Sequence, residues 1–344
     1  MPETQAPQPL NLALQGGGSH GALTWGVLDA LLEDGRFRFA GITGTSAGAI
    51  NAVALAHGFA QAAQEYPGAH QAREAHQAGC ANARATLTRM WEGVGTFGNL
   101  AWGVPLPGAK AFMGLWAQWL SPYQTNPLDI NPLRRLLKTE VNFEWLCAEP
   151  SPHIPQVFVC ATNVRTGRGE IFNGKRLSVD AVMASACLPM LFKAVEIDGE
   201  HYWDGGYSGN PALYPLIYNT ECSDVLLVQI NPIEHTGVPG SASEIMDRIN
   251  EVTFNASLLG ELRAIGFVRR LLAEGKLDPL RYKSMNVHRI DGGAALAPFG
   301  AASKARADLA FLRKLFGLGR EAGQRWLRGH AADVGVRATA EIPM

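Results

Sequence analysis

Charge is scarce in this 344-residue chain: Asp, Glu, Lys and Arg together make up 18% of it, against about a quarter in an average globular domain. What charge there is balances, with 30 basic residues against 31 acidic ones and a formal net charge of −1. No basic surplus supports a nucleic-acid footprint, and no acidic surplus supports a disordered tail. Cysteine is equally sparse. Cys80, Cys147, Cys160, Cys187 and Cys222 are an odd, widely spaced set without a C-x-x-C pair, which argues against a disulfide framework or a zinc site. The first ten residues carry Pro, Gln and an acidic Glu3, and they lack the basic and apolar stretches of a secretory signal. Nor is there an uninterrupted apolar run of about 18 residues, the length a spanning helix needs. The expectation is a reduced, cytoplasmic protein without a transmembrane segment.

Apolar residues and glycine are plentiful instead, at 47% hydrophobic and 38 Gly. The length allows one large domain or two small ones and suffices for a core without disulfides or metals. Leu10–Leu14 is a short apolar run ending in glycines, which reads as a buried strand. Ala22–Leu32 follows with helical spacing of Leu23, Val27, Leu28 and Leu31 and stops at Gly35. Phe39–Thr43 is a second strand that runs directly into an Ala-rich helix, Ala47–Leu55. Strand and helix alternating over turns this short predict βαβ units and a mostly parallel sheet. Ala60–Arg89 reads as helical. Strands are expected again at Val157–Val164, Lys193–Trp203, Asp224–Ile230 and Met285–Ile290, and helices at Ser178–Cys187, Ser241–Leu272 and Ser303–Trp326.

Gly16-Gly17-Gly18-Ser19-His20-Gly21 lies between the first strand and the first helix. It matches the dinucleotide fingerprint G-x-G-x-x-G, which makes a nucleotide-binding oxidoreductase a competing reading. That reading needs an Asp or Glu about 20 residues on, at the end of the second strand. There the chain reads Thr43-Gly44-Thr45-Ser46, and no Gly-Lys-Ser/Thr closes the loop for ATP. Convergent backbone N–H groups at a helix N-terminus remain, and they stabilise a phosphate or a transient oxyanion.

Gly44-Thr45-Ser46-Ala47-Gly48 is G-x-S-x-G at the second strand-to-helix junction. Small residues permit the sharp turn of a nucleophile elbow, with Gly44 and Gly48 flanking the nucleophile Ser46. Both loops should leave the same carboxyl edge of a parallel sheet, where active sites of such sheets lie. Serine needs a base to take its proton. His201, His235, His288 and His330 could serve in a Ser–Asp–His order, but none sits in a distinctive motif. Asp204-Gly205-Gly206, directly after the apolar His201-Tyr202-Trp203, is more distinctive. It reads as either a turn or a base at a strand end.

G-G-G-x-x-G, then G-x-S-x-G, then D-G-G, in this order, resembles the patatin-like phospholipase family over about Leu10 to Ile230. Asn126-Pro127-Leu128, Ala161-Thr162-Asn163 and Ala184-Ser185-Ala186-Cys187-Leu188-Pro189 add to the likeness. The resemblance implies a three-layer α/β/α fold and a Ser46–Asp204 dyad without histidine. It also implies an oxyanion hole at Gly16, Gly17 and Gly18, and a lipid or other fatty acyl ester as substrate. A catalytic domain is then expected over residues 8–232, with a helical, apolar insertion at about 60–150. Residues 233–344 are expected as a helical extension packed on the same domain. A carboxylesterase or acyl-thioesterase on soluble substrates is the alternative within the same chemistry. No metal or other cofactor is implied. Where the family usually has Arg or Lys before the last loop glycine, this chain has His20, expected to contact a substrate anion and to lose that role as it deprotonates near its ordinary pKa of about 6.5. Gly93–Leu128 holds Lys110 as its only charged residue. Its stripe of Phe112, Leu115, Trp116 and Trp119 is expected to form core, a lid or acyl-site wall, or a peripheral membrane contact.

Overall fold

The computed structural model describes residues 6–68, 71–102, 131–148, 151–234 and 237–342. Trp116, Trp119 and Asn126-Pro127-Leu128 lie outside the described residues, and so does the assignment of their stretch as lid, core or membrane contact.

β1 (Gln8–Leu14) sends Leu10, Leu12 and Leu14 to one face of the sheet and Ala13 to the other, all buried. It leads through a short 3-10 turn (Gly18–His20) into α1 (Gly21–Asp34). β2 (Phe37–Gly44) and α2 (Ala47–Glu65) repeat the unit, and α3 (Ala72–Trp102) follows. Two short helices, α4 (Pro132–Glu140) and α5 (Phe143–Leu146), are capped by Asn131 and Asn142, whose side chains accept from Leu133 and Glu144 N–H. β3 (Gln156–Asn163), β4 (Gly169–Phe172) and α6 (Val179–Ser185) come next. The stretch read as one strand at Lys193–Trp203 is instead a hairpin of β5 (Val195–Ile197) and β6 (Glu200–Asp204). Asp198 and Gly199 both have positive φ, 54° and 78°, the conformation that an Asp-Gly hairpin turn requires.

α7 (Tyr214–Asn219), β7 (Asp224–Gln229) and α8 (Ala242–Ala273) precede β8 (Asn286–Asp291), α9 (Gly293–Leu296) and α10 (Leu309–His330). The long final helix starts later than its apolar pattern suggested. Residues Ala301–Ala305 form a separate 3-10 turn, and Asp308 caps α10 by accepting from Phe311 N–H.

Among the described residues the strands form one eight-stranded sheet in the order β5-β6-β3-β2-β1-β7-β8, with β4 also on β3. β3, β2, β1, β7 and β8 run parallel, while β4 and β6 pair antiparallel with β3 and β5 pairs antiparallel with β6. Alternation sorts two apolar layers. Leu226, Val228, Val157 and Val159 join the β1 leucines against α1, α2, α3 and α10. Ala13, Val225, Leu227 and Phe158 pack on Leu216 of α7 and Leu258, Leu262 and Ile265 of α8. The result is a three-layer α/β/α arrangement around a mostly parallel sheet. Within the helical layer α10 lies on α1, with the Trp25 and Phe316 rings 4.1 Å apart and the buried Asp29 ion-paired to both Arg84 and Arg320. Because β1 leads to β2 on one side and lies beside β7 on the other, its carboxyl end is the switch point where such sheets open a crevice.

Candidate active site

Strand register brings the site together. Leu14 pairs with Gly44, Gly44 with Val159, and Ala161 with Asp204. Two residues beyond the Leu14–Gly44–Val159 row, Gly16, Ser46, Ala161 and Asp204 therefore stand at one level of the sheet edge. A side-chain carbon on Gly16 would come 2.8 Å from Ser46 Cβ and 2.6 Å from Thr45 O, so the glycine loop and the serine turn touch.

Ser46 sits at the N-cap of α2 with φ 55° and ψ −120°, a strained backbone for a residue with a side chain. Tight packing beneath the turn holds it there. A Cβ on Gly48 would lie 2.0 Å from Leu14 O, and one on Gly44 would lie 2.4 Å from Gly48 O. Ser46 N–H donates to Ser185 Oγ at 2.9 Å, and that hydroxyl donates to Cys160 O at 2.6 Å. Thr45 Oγ1 donates to Gly209 O at 2.6 Å. The half-buried Ser46 hydroxyl thus projects from a fixed turn at the positive end of a helix.

Asp204 is 1% exposed. Its Oδ1 accepts from Gly206 N–H at 2.7 Å, while the buried Oδ2 has no partner in full hydrogen-bond geometry. Burial pushes the carboxyl up to about 7, opposed by the Gly206 N–H and by the Ser46 hydroxyl, which approaches as a donor. A loose approach of this kind is common before substrate aligns the groups. Backbone bonds fix the aspartate: its N–H donates to Cys187 O at 2.8 Å, and its carbonyl accepts from Thr162 Oγ1 at 2.8 Å.

The glycine loop is clamped by buried amides. Gly16 N–H donates to Asn210 Oδ1 at 2.6 Å, and Gly16 O accepts from Asn231 Nδ2 at 2.7 Å. Gln15 braces the clamp by accepting from Ile230 and Asn231 N–H and donating to Asn255 Oδ1. Gly16 therefore departs from the expected donor role, since its N–H is already spent on Asn210. Among the described residues, Gly17 and Gly18 N–H have no such partner. Gly18 has φ 58°, and a Cβ there would lie 2.4 Å from Lys304 O.

His20 differs from expectation more sharply. It is buried, and burial with the nearby Lys304 ammonium lowers its pKa to about 4. Ser303 Oγ donates to Gly300 O at 2.8 Å and lies 2.6 Å from His20 Nε2, so Nε2 carries the ring proton. His20 is neutral at neutral pH and cannot serve there as a cation. The other histidines have different partners. His288 is buried against Asp224 Oδ1 at 3.0 Å near the opposite ends of β7 and β8, His201 faces Glu196, and His330 faces Asp333. His235 lies outside the described residues. No cluster of metal-ligating side chains occurs among the described residues, and no described helix is long and apolar enough to cross a membrane.

Ser185, Asn210, Asn231 and Lys304 are site residues that the motifs did not single out for a role. Ser185 lies inside a segment noted for its likeness. Lys304 had no local signal at all.

A family model described as patatin-like phospholipase matches residues 12–217. Among solved structures, VipD from Legionella pneumophila is 15% identical with a TM-score of 0.37, covering 95% of this chain and 68% of that one. Two structures of the ExoU–SpcU complex from the type III secretion system of Pseudomonas aeruginosa are also similar. One is 17% identical with a TM-score of 0.30, covering 90% of this chain and 53% of that one. The other is 19% identical with a TM-score of 0.31, covering 96% and 61%. This chain thus spans between 53% and 68% of the length of these proteins. No curated protein matches the sequence.

Proposed function

The chain belongs to the patatin-like phospholipase family, and from that premise we propose that it hydrolyses fatty acyl esters of lipids through a Ser46–Asp204 dyad. Family membership by itself supports lipid acyl hydrolysis in general. What carries the finer reading is one juxtaposition. A serine in a strained turn at a helix N-terminus shares a level of the sheet edge with a buried carboxyl that its hydroxyl approaches as a donor.

In this reading Ser46 Oγ attacks the ester carbonyl carbon while its proton passes to Asp204 Oδ2. A carboxylate raised to about 7 is a far better base than an ordinary one. The Gly17 and Gly18 N–H groups donate to the developing oxyanion, each worth about 10²–10³-fold in rate. Collapse of the tetrahedral intermediate breaks the C–O bond, and the departing alcohol takes the proton back from Asp204. Water then attacks the acyl-Ser46 ester, gives its proton to Asp204, and the fatty acid leaves as Ser46 is reprotonated. Residues 8–232 supply these groups, and 233–344 complete the support of the glycine loop.

The test is turnover of a phospholipid and of a p-nitrophenyl fatty acyl ester by wild type, Ser46→Ala and Asp204→Asn. Both variants should lose turnover on both substrates. Retained activity in either would defeat the dyad, and activity on the soluble ester alone would favour a carboxylesterase.

A further inference from the structure

The glycine loop is held from a part of the chain far beyond the family motifs. The 3-10 turn Ala301–Ala305 lies against it at two points and at a third reaches Asn231, which holds the loop. Ser303 accepts from His20, Lys304 O lies over the bare face of Gly18, and Lys304 Nζ donates to Asn231 Oδ1 at 2.7 Å. We infer that Lys304 is a positioning residue for the glycine loop, holding the Asn231 carboxamide in the orientation that pins the Gly16 carbonyl and so sets the direction of the Gly17 N–H. This rests on the proposed function, in which that N–H faces the oxyanion.

Hydrogen-bond capacity and peptide planarity carry the argument. An ammonium only donates, so it takes the Oδ1 side of Asn231 and turns Nδ2 toward a group that only accepts. That group is Gly16 O, 2.7 Å away. In a trans peptide the C=O and the following N–H point in opposite directions. Pinning Gly16 O on the Asn231 side therefore aims Gly17 N–H away from it. Without the ammonium only Gly16 O itself selects the Nδ2 end, and a flipped Asn231 would place its oxygen against Gly16 O. Two lone pairs would then oppose each other, and the peptide would have to turn. Burial lowers the Lys304 pKa, and the negative charges of Glu251 and Asp247 on α8 oppose that shift and favour the ammonium. Their negative charge also makes the neighbourhood a poor receptor for a substrate anion, which separates positioning from headgroup binding.

The experiment uses the full chain and a soluble p-nitrophenyl acyl ester, with kcat and KM measured for wild type, Lys304→Met, Lys304→Arg, Asn231→Leu and the Lys304→Met/Asn231→Leu double variant. Folding is checked by thermal melting, and Lys304→Gln replaces Lys304→Met if the latter does not fold. Misplacing a reacting group by about 1 Å costs about 10²-fold, so Lys304→Met should lower kcat by about 10–100-fold with KM within about twofold. Lys304→Arg should recover most of the loss. Because Lys304 acts through Asn231, the double variant should be no slower than Asn231→Leu alone. Unchanged kcat in Lys304→Met, a rise confined to KM, or multiplying effects in the double variant would overturn the inference. Ser46→Ala is run beside them: if it keeps its turnover, the serine reading fails, whereas a dead Ser46→Ala with a fully active Lys304→Met sinks this inference alone.

Discussion

Asp204→Asn should make the folded protein more stable while removing its activity, because the site holds a buried carboxyl where burial disfavours its charge. The carboxyl is raised from an ordinary 3.8 to about 7, and at 1.36 kcal/mol per pH unit this costs the ionised folded state roughly 4 kcal/mol. Asn keeps an acceptor for Gly206 N–H, carries no charge to bury, and turns its amide toward the Ser46 hydroxyl, which can accept. The sign of the pH dependence follows from proton binding. The folded carboxyl keeps its proton up to about pH 7 while the unfolded one releases it near pH 4. Across that window the folded state binds more protons, so this group's contribution to wild-type stability falls as pH rises. His20 runs the other way: with a folded pKa of about 4 against 6.5 unfolded, its contribution is lost as pH falls through that range. The two slopes oppose each other in wild type, but His20 is common to both proteins and cancels in their difference. Urea unfolding of wild type and Asp204→Asn at pH 4, 5.5, 7 and 8.5 isolates the aspartate. The gap in favour of Asn should open by about 1.4 kcal/mol per pH unit and level off above pH 7. A gap that is flat with pH, or that favours Asp at pH 8.5, would refute the reasoning.

Other consequences of the geometry are equally direct. Ser185→Ala removes the acceptor for Ser46 N–H and should lower kcat about tenfold without moving KM, as a loosened nucleophile turn predicts. Gly48→Ala puts a methyl 2.0 Å from Leu14 O and should destabilise by about 3 kcal/mol, the upper end of overpacking costs, read from chemical denaturation. The kcat/KM profile should rise through about pH 7 as Asp204 ionises. His20→Gln should leave the position of that limb unchanged, because His20 is neutral throughout the range.

How much of this was legible in the sequence follows from the range of each interaction. β1, β2 and β7 could be read because their apolar runs end in glycine or turn residues, and both key loops follow from their placement after β1 and β2. The β5–β6 hairpin was hidden by an apolar stretch whose turn is the Asp198-Gly199 pair. Motif spacing placed Ser46 and Asp204, yet only strand register shows that they share a level. The sequence could not show that Gly16 N–H is already occupied, since its partner Asn210 lies 194 residues away. The state of His20 was also illegible. An ordinary pKa was expected, but burial and Lys304 decide it, and both come from α10-side packing that no local pattern encodes. Lys304 itself lies in a segment whose helical periodicity concealed a 3-10 turn.

The central claim is that Ser46 is the nucleophile and that Asp204 is the base that activates it. Its most direct test is intact and peptide mass measurement after treatment with a fluorophosphonate, for wild type, Ser46→Ala and Asp204→Asn. The account predicts one adduct per chain on the peptide containing Ser46, none in Ser46→Ala, and labelling slowed by orders of magnitude in Asp204→Asn. An adduct on another residue, or wild-type labelling speed in Asp204→Asn, would contradict it.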